Sequence, residues 1–265
     1  MELQSRHADI TAQGLGLAVI TYDSVDTLKG FSDSRGLDFP TLSDEGSAVI
    51  QEYGLLNQEM SPGVRFYGVP YPGTFILDTE GRVRERFFEQ AYQERFTVSS
   101  ILVALGDAAN GTDRNATRLT TDHLDALAYP TDRTVAPGNR FSLVVDVTPK
   151  EGMHLYAPGG HTYQVIRLQL NAPDFIRAHE VRYPASEIYH YKPLDERVEV
   201  FQEPFQLVQE VTIPMTPEIA ALAAEPDATL TVEGVLTYQA CDDAICYTPV
   251  ELPVRWTLGW RPLVR

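Results

Sequence analysis

Two rhythms of apolar residues divide this chain. Up to about residue 105, short continuous apolar runs alternate with stretches whose apolar residues recur every three or four positions. Residues 16–22 (GLAVITY) read as a buried parallel strand, because a strand covered on both faces loses strict alternation. Residues 2–11 read as a helix. Ser24 fits the N-cap of another, carrying Val25, Leu28 and Phe31 and ended by Gly36. Ser43 fits the N-cap of a third, with Val49, Ile50 and Tyr53 on its apolar side and Gly54 as its stop. Residues 74–77 (TFIL) form a second buried strand, 78–81 a turn, and 82–88 the return strand of a hairpin. Residues 94–105 close the half as a helix. This order predicts a mixed α/β sheet.

From residue 123 the period becomes two. Phe141, Leu143, Val145 and Val147 keep one phase; so do Ile166, Leu168 and Leu170. Phe205, Leu207, Val211 and Ile213 follow a similar phase, and Val250, Leu252, Val254, Trp256 and Leu258 repeat it. Runs of this kind between Pro, Gly and Asp turns predict an antiparallel β-sandwich. Residues 217–224 are the one helical suspicion here. Residues 106–122 are small, polar and weakly periodic, and are expected to link a domain at 1–105 to one at 123–265. The fold class is therefore α+β in two domains, an α/β domain followed by a sandwich.

Composition changes this picture little. Hydrophobic content of 43% is enough for cores, and 37 acidic residues against 21 basic give a net charge of −16 over 265 residues. So acidic a surface argues against nucleic acid and anionic membrane as partners. No run of about 18 apolar residues exists to insert in a membrane. The N-terminus lacks the apolar core of a signal peptide.

The chemistry concentrates in residues 238–249 (YQACDDAICYTP), which hold the only two cysteines, Cys241 and Cys246. A hairpin can set this pair opposite each other within disulfide range. Closing so small a ring stabilises by only about 2 kcal/mol in the loop-entropy account, which favours a redox role over a staple. Asp242 and Asp243 place negative charge beside the sulfurs and disfavour the thiolate, so the pair suits activation by a partner. Tyr238, Tyr247 and Pro249 are candidates to shield the sulfurs. His154 and His161 lack the tight paired spacing of a zinc site, so no metal is expected. Residues 158–160 (PGG) read as a turn, not a phosphate loop.

Residues 20–24 (ITYDS), 39–44 (FPTLSD), Tyr53 with Gly54, and 69–78 (VPYPGTFILD) followed by Gly81 resemble the thioredoxin-like fold, in its AhpC/TSA, peroxiredoxin-related branch, over about residues 2–105. The resemblance implies a cis bond at Tyr71–Pro72. It also implies a reactive cysteine on a loop after the first central strand, where the first long helix begins. This chain starts inside that helix, and residues 1–240 contain no cysteine, so the thiolate such chemistry needs is missing. The expectation is a truncated product, lacking its first strand and cysteine loop, with unpaired backbone left prone to intermolecular pairing.

The frame of Tyr238, Gln239 and Cys241 with Cys246, Tyr247 and Pro249 resembles the N-terminal domain of DsbD, the immunoglobulin-like module of a transmembrane reductant carrier, over about residues 124–258. Residues 152–156 (GMHLY) are similar to that family's aromatic strand. The resemblance implies that Cys246 exchanges with partners while Cys241 resolves, and that Tyr156 packs beside the pair. Residues 189–194 (YHYKPL) fall where the family has its cap loop, which makes Tyr189 and Tyr191 further shielding candidates. The cysteine gap is one residue shorter than in the best-known members, and Thr248 stands where proline is usual. Together the resemblances imply an extracytoplasmic, periplasmic thiol-disulfide oxidoreductase or reductant relay, with a dithiol or disulfide protein as partner and no cofactor. The alternatives are a non-catalytic binding or scaffold module with a structural disulfide, and a fragment of a peroxiredoxin-like peroxidase.

Overall fold

The computed structural model describes residues 2–63, 67–88, 94–106, 116–191 and 195–262. The chain divides into two compact units, Met1–Asp107 and Ala108–Arg265.

The first unit runs α1 (Glu2–Ser5), α2 (His7–Ala12), β1 (Val19–Thr21), α3 (Val25–Arg35), β2 (Thr41–Ser43), α4 (Ala48–Glu52), β3 (Gly73–Leu77), β4 (Val83–Phe88), β5 (Arg95–Phe96) and α5 (Val98–Ala104). β1 and β2 pair in parallel, β3 and β4 form the expected hairpin, and the two pairs are separate two-stranded sheets. α3 is built as its sequence dictates: the Ser24 side chain accepts from the Thr27 amide, and Gly36 at φ +60° turns the chain out of the helix.

Four local expectations need correction. Ser43 does not cap α4; it ends β2, and its hydroxyl donates to the Asp23 carbonyl at 2.7 Å. Asp44 does the capping instead, with its carboxylate accepting from the Val49 and Ile50 amides at 3.0 and 2.8 Å. The apolar runs of β1 and β3 are not buried, since Ile20 is 48% and Leu77 52% exposed. A two-stranded sheet offers too little cover for such a run. α5 starts at Val98, after a Thr97 cap, and not at residue 94. The Tyr71–Pro72 bond is trans, for no peptide bond among the described residues is cis. Pro70 bridges to Leu56 and the Tyr71 amide donates to the Leu55 carbonyl at 2.7 Å, so trans geometry, the intrinsic preference, already holds the segment.

The second unit comprises β6 (Thr117–Thr120), β7 (Leu124–Pro130), β8 (Thr134–Val135), β9 (Asn139–Pro149), β10 (His154–Tyr156), β11 (Arg167–Asn171), β12 (Arg177–Arg182), β13 (Glu187–Tyr191), β14 (Glu196–Phe201), β15 (Phe205–Thr212), α6 (Pro217–Leu222), β16 (Thr229–Tyr238), β17 (Ala240–Cys241) and β18 (Val250–Trp260). One sheet has the order β12–β15–β9–β7–β6 and another β11–β16–β18–β8. All these pairings are antiparallel except β8 with β18.

The sandwich core follows the period-two pattern. Leu143, Val145, Val147, Leu207 and Val211 from one sheet join Val232, Leu236, Trp256 and Leu258 from the other in one cluster, all fully buried. The Trp256 indole N–H donates to the Val144 carbonyl at 3.2 Å, so the largest fully buried side chain leaves no orphan donor. α6 occupies the start of the suspected helical stretch, capped by the Thr216 side chain with Pro217 in its first turn. The linker expectation fails at its end: β6 adds an edge strand to β7, with Leu119 packed on the core. Residues 107–115 of that stretch lie outside the described residues.

A third sheet, β13–β14–β10–β17, carries Cys241. Among the described residues, no helix is long and apolar enough to cross a membrane.

Candidate redox site

Cys241 ends the short strand β17, held by pairing with β10 in a register that sets His154 opposite Cys241. Cys246 returns to face Cys241 in an isolated antiparallel bridge, and a disulfide joins them with Cα atoms 4.1 Å apart. The chain can turn back this tightly because Asp242 organises the intervening residues. Its amide donates to the Ile245 carbonyl at 3.0 Å, while one carboxylate oxygen accepts from both the Ala244 and Ile245 amides at 2.8 Å. The turn is tied back beyond Cys246 as well: the Tyr247 amide donates to the Ala240 carbonyl, and the Gln239 side chain donates to the Tyr247 carbonyl, both at 2.9 Å.

The two sulfurs differ in access. Cys241 is 1% exposed and packs with Tyr156, Val198 and Val200. Cys246 is exposed, next to Ile245 at 56%. The Tyr156 hydroxyl lies 3.3 Å from each sulfur. A disulfide sulfur carries no proton, so the hydroxyl is the donor in this state. Burial pushes the Tyr156 hydroxyl up to about 12, with the neighbouring Tyr163 and Glu196 adding to the shift, so it keeps its proton at any physiological pH.

Beside the disulfide lies a cleft of about 170 Å³ with an aromatic wall. The Tyr156 ring stacks on Tyr163, centroids 4.3 Å apart and nearly parallel, and the Tyr163 hydroxyl donates to Glu196 at 2.6 Å. The Tyr189 ring stacks on His154 at 4.4 Å, and its hydroxyl donates to Asp243 at 2.7 Å. That carboxylate, then burial, pushes the Tyr189 hydroxyl up to about 12. Burial also holds His154 below the usual histidine range, partly opposed by the charges of Asp243 and Asp242. Asp242 is held below the usual carboxylate range by the Ile245 and Ala244 amides first, and by the Tyr247 hydroxyl.

Of the sequence candidates, Cys241, Cys246, Tyr156, Tyr189 and Tyr191 all line this cleft. Tyr238 does not: it is fully buried on the sandwich side, where its hydroxyl bonds with that of Thr121 at 2.8 Å. Its place on β16 explains this, because the buried phase of that strand runs through Leu230, Val232 and Leu236 to Tyr238. Tyr247 turns away from the cleft, its ring on His123 at 4.5 Å and its hydroxyl donating to Asp242 at 2.8 Å. Pro249 is exposed and outside the cleft. Pro72 belongs to the first unit and, with its trans bond, does not supply the expected cis turn. Residues 192–194 of the cap-loop stretch lie outside the described residues.

Sequence reasoning missed Tyr163, Glu196 and the stacking role of His154. His154 and Tyr156 could have been paired by their i, i+2 spacing on a strand; Tyr163 and Glu196 carry no local signal. His161 sits near this cluster, its ring nitrogen at hydrogen-bond distance (2.9 Å) from the Ala157 carbonyl, and no group of residues suited to a metal occurs among the described residues. A larger, open groove of about 840 Å³ in the first unit, walled by Tyr53, Tyr71, Phe75 and Phe88, offers no nucleophilic sulfur.

The AhpC/TSA family model matches residues 1–86, and the model for the N-terminal domain of the thiol:disulfide interchange protein DsbD matches residues 126–254. Two putative peroxiredoxins of Mycobacterium tuberculosis are each 33% identical over 75 residues, which is 28% of this chain and 47% of theirs. The chain thus spans about half the length of the curated relatives it matches. Among solved structures, the reduced DsbD N-terminal domain of Neisseria meningitidis is 16% identical, with a TM-score of 0.30 over 45% of this chain and 82% of that one. The N-terminal periplasmic domain of ScsB from Proteus mirabilis is 13% identical, with a TM-score of 0.39 over 57% and 53%. A stretch similar to the AhpC/TSA family thus precedes one similar to the DsbD N-terminal domain, and the only two cysteines of the sequence lie in the latter.

Proposed function

We propose that the second unit exchanges disulfides with a partner protein through Cys241 and Cys246, in an extracytoplasmic compartment. The observation that carries this is the unequal access of one bonded pair, Cys246 at the surface and Cys241 sealed beneath Tyr156. A staple needs no such asymmetry, whereas exchange proceeds by attack on an accessible sulfur.

In the reductive direction, a partner thiolate attacks the Cys246 sulfur. The Cys241–Cys246 bond breaks, and Cys241 leaves with the electron pair. The Tyr156 hydroxyl, 3.3 Å away, donates to the charge that develops on Cys241. The partner's second thiolate then attacks the partner sulfur of the mixed disulfide and expels Cys246. Two electrons and two protons reach the pair, and the partner's dithiol becomes a disulfide. In reverse, the Cys246 thiolate opens a partner disulfide and Cys241 resolves it.

The direct test uses Cys241→Ser, which keeps the accessible thiol and removes the resolving one. Mixed with a thioredoxin-type carrier whose own resolving cysteine is replaced by serine and whose remaining cysteine is held as a mixed disulfide with thionitrobenzoate, it should expel thionitrobenzoate and accumulate a mixed disulfide visible on a non-reducing gel, and Cys246→Ser should not. No trapped species with Cys241→Ser, together with no reduction of the wild-type pair by the reduced carrier, would leave a structural disulfide in a binding module.

A further inference from the structure

We infer that Asp242 is a positioning residue for exchange, a clamp that keeps the turn between the cysteines closed when the disulfide is open. This rests on the exchange reading above. The geometry is unusually complete for so short a segment. One oxygen of the Asp242 carboxylate accepts from two consecutive amides, Ala244 and Ile245. The other accepts from the Tyr247 hydroxyl at 2.8 Å. The side chain therefore grips the turn before Cys246 and the residue after it, and the Asp242 amide adds a bond to the Ile245 carbonyl. None of these contacts uses a sulfur, so none is lost on reduction.

The consequence is chemical. After Cys246 enters a mixed disulfide, Cys241 must reach it, and the two meet often only if the turn has not opened. A clamped turn also spends less conformational entropy on ring closure, which favours disulfide over dithiol. Asp242 thus does more than place negative charge near the sulfurs: its acceptor geometry sets how readily the pair recloses. Tyr247, which faces away from the cleft, gains a reason for its place, as the far anchor of the clamp. The lowered titration range of Asp242 agrees with an ionised acceptor under all ordinary conditions.

The test separates acceptor geometry from charge. Asp242→Ala removes both, while Asp242→Asn keeps a carbonyl oxygen for the two amides and removes the charge. Each variant, and Tyr247→Phe, is equilibrated with reduced and oxidised glutathione, with circular dichroism to verify the fold. Asp242→Ala should shift the equilibrium toward dithiol by roughly three- to tenfold and lengthen the life of the glutathione mixed disulfide at Cys246. Asp242→Asn should recover most of the wild-type equilibrium, and Tyr247→Phe should fall between. An unchanged equilibrium in folded Asp242→Ala, or a shift in Asp242→Asn as large as in Asp242→Ala, overturns the clamp. Glutathione reaches an exposed sulfur whether or not a protein partner exists. Failure of the exchange reading therefore shows separately, as a wild-type pair that equilibrates with glutathione but is not reduced by the reduced carrier, while Cys241→Ser traps no carrier.

Discussion

His154 stands opposite Cys241 in the antiparallel register of β10 and β17, with its ring stacked on Tyr189 at 4.4 Å. The imidazole is buried and held below its ordinary value of 6.5 by that burial. The unfolded chain therefore takes up this proton more readily than the folded one. The contribution of neutral His154 to stability is full above about pH 6.5 and is lost as pH falls through the depressed folded value. Urea midpoints at pH 8 and pH 5 should differ, with the lower at pH 5. His154→Phe, which keeps a ring for Tyr189, should narrow that difference. An unchanged difference would place the acid sensitivity elsewhere.

Tyr156 predicts a kinetic effect without a large structural one. Tyr156→Phe keeps the ring that stacks on Tyr163 and removes the hydroxyl near both sulfurs. Charge-assisted hydrogen bonds are the strong ones, so the alkylation rate of the reduced pair at fixed pH should fall about tenfold. Iodoacetamide kinetics on the reduced protein measure this, and thermal melts check that the fold is intact.

At high pH the same aromatic wall should fail. The hydroxyls of Tyr156 and Tyr189 are both pushed up to about 12 from an ordinary 10. Unfolded tyrosines ionise first, so the contribution of these two groups is full below pH 10 and is lost as pH rises through about 12. Stability measured from pH 8 to 11.5 should decline beyond 10, and Tyr189→Phe should soften the decline.

Gly234 offers a test of the sandwich. A Cβ at this position would sit 2.8 Å from the Gln169 carbonyl and 3.3 Å from the Trp256 ring. Backbone on the neighbouring strand cannot yield cheaply, so Gly234→Ala should cost about 1–3 kcal/mol in chemical denaturation. Reactivity of the cysteine pair should be retained at temperatures where the variant is folded.

These expectations rest unequally on the sequence. The pair Cys241 and Cys246, with Tyr156 and the stretch beginning at Tyr189, was legible because each lies in a local motif on a strand or turn. Tyr238 was misplaced although the needed signal was present: it shares the inward phase of Leu236, so strand parity already sent it to the core. The stacking of Tyr156 on Tyr163 and the bond from Tyr163 to Glu196 were not legible, since β10, the following loop and β14 meet only through sheet pairing. In the first unit, the apolar runs of β1 and β3 gave strand identity but not exposure. Burial depends on what covers a strand, and a run such as ITY or TFIL is silent on its neighbours. The linker reading failed at Thr117–Thr120 because a four-residue edge strand with one inward leucine is hard to tell from polar coil.

The separate two-stranded sheets of the first unit carry a further consequence. Among the described residues, each of their four strands is an edge, with a hydrogen-bonded neighbour on one side only, whereas β9 in the second unit has both β7 and β15 beside it from Leu143 to Val147. Amide deuteration should therefore proceed on two clocks. Protons on β1 to β4 leave through small local openings, while those on β9 wait for the second unit to open as a whole.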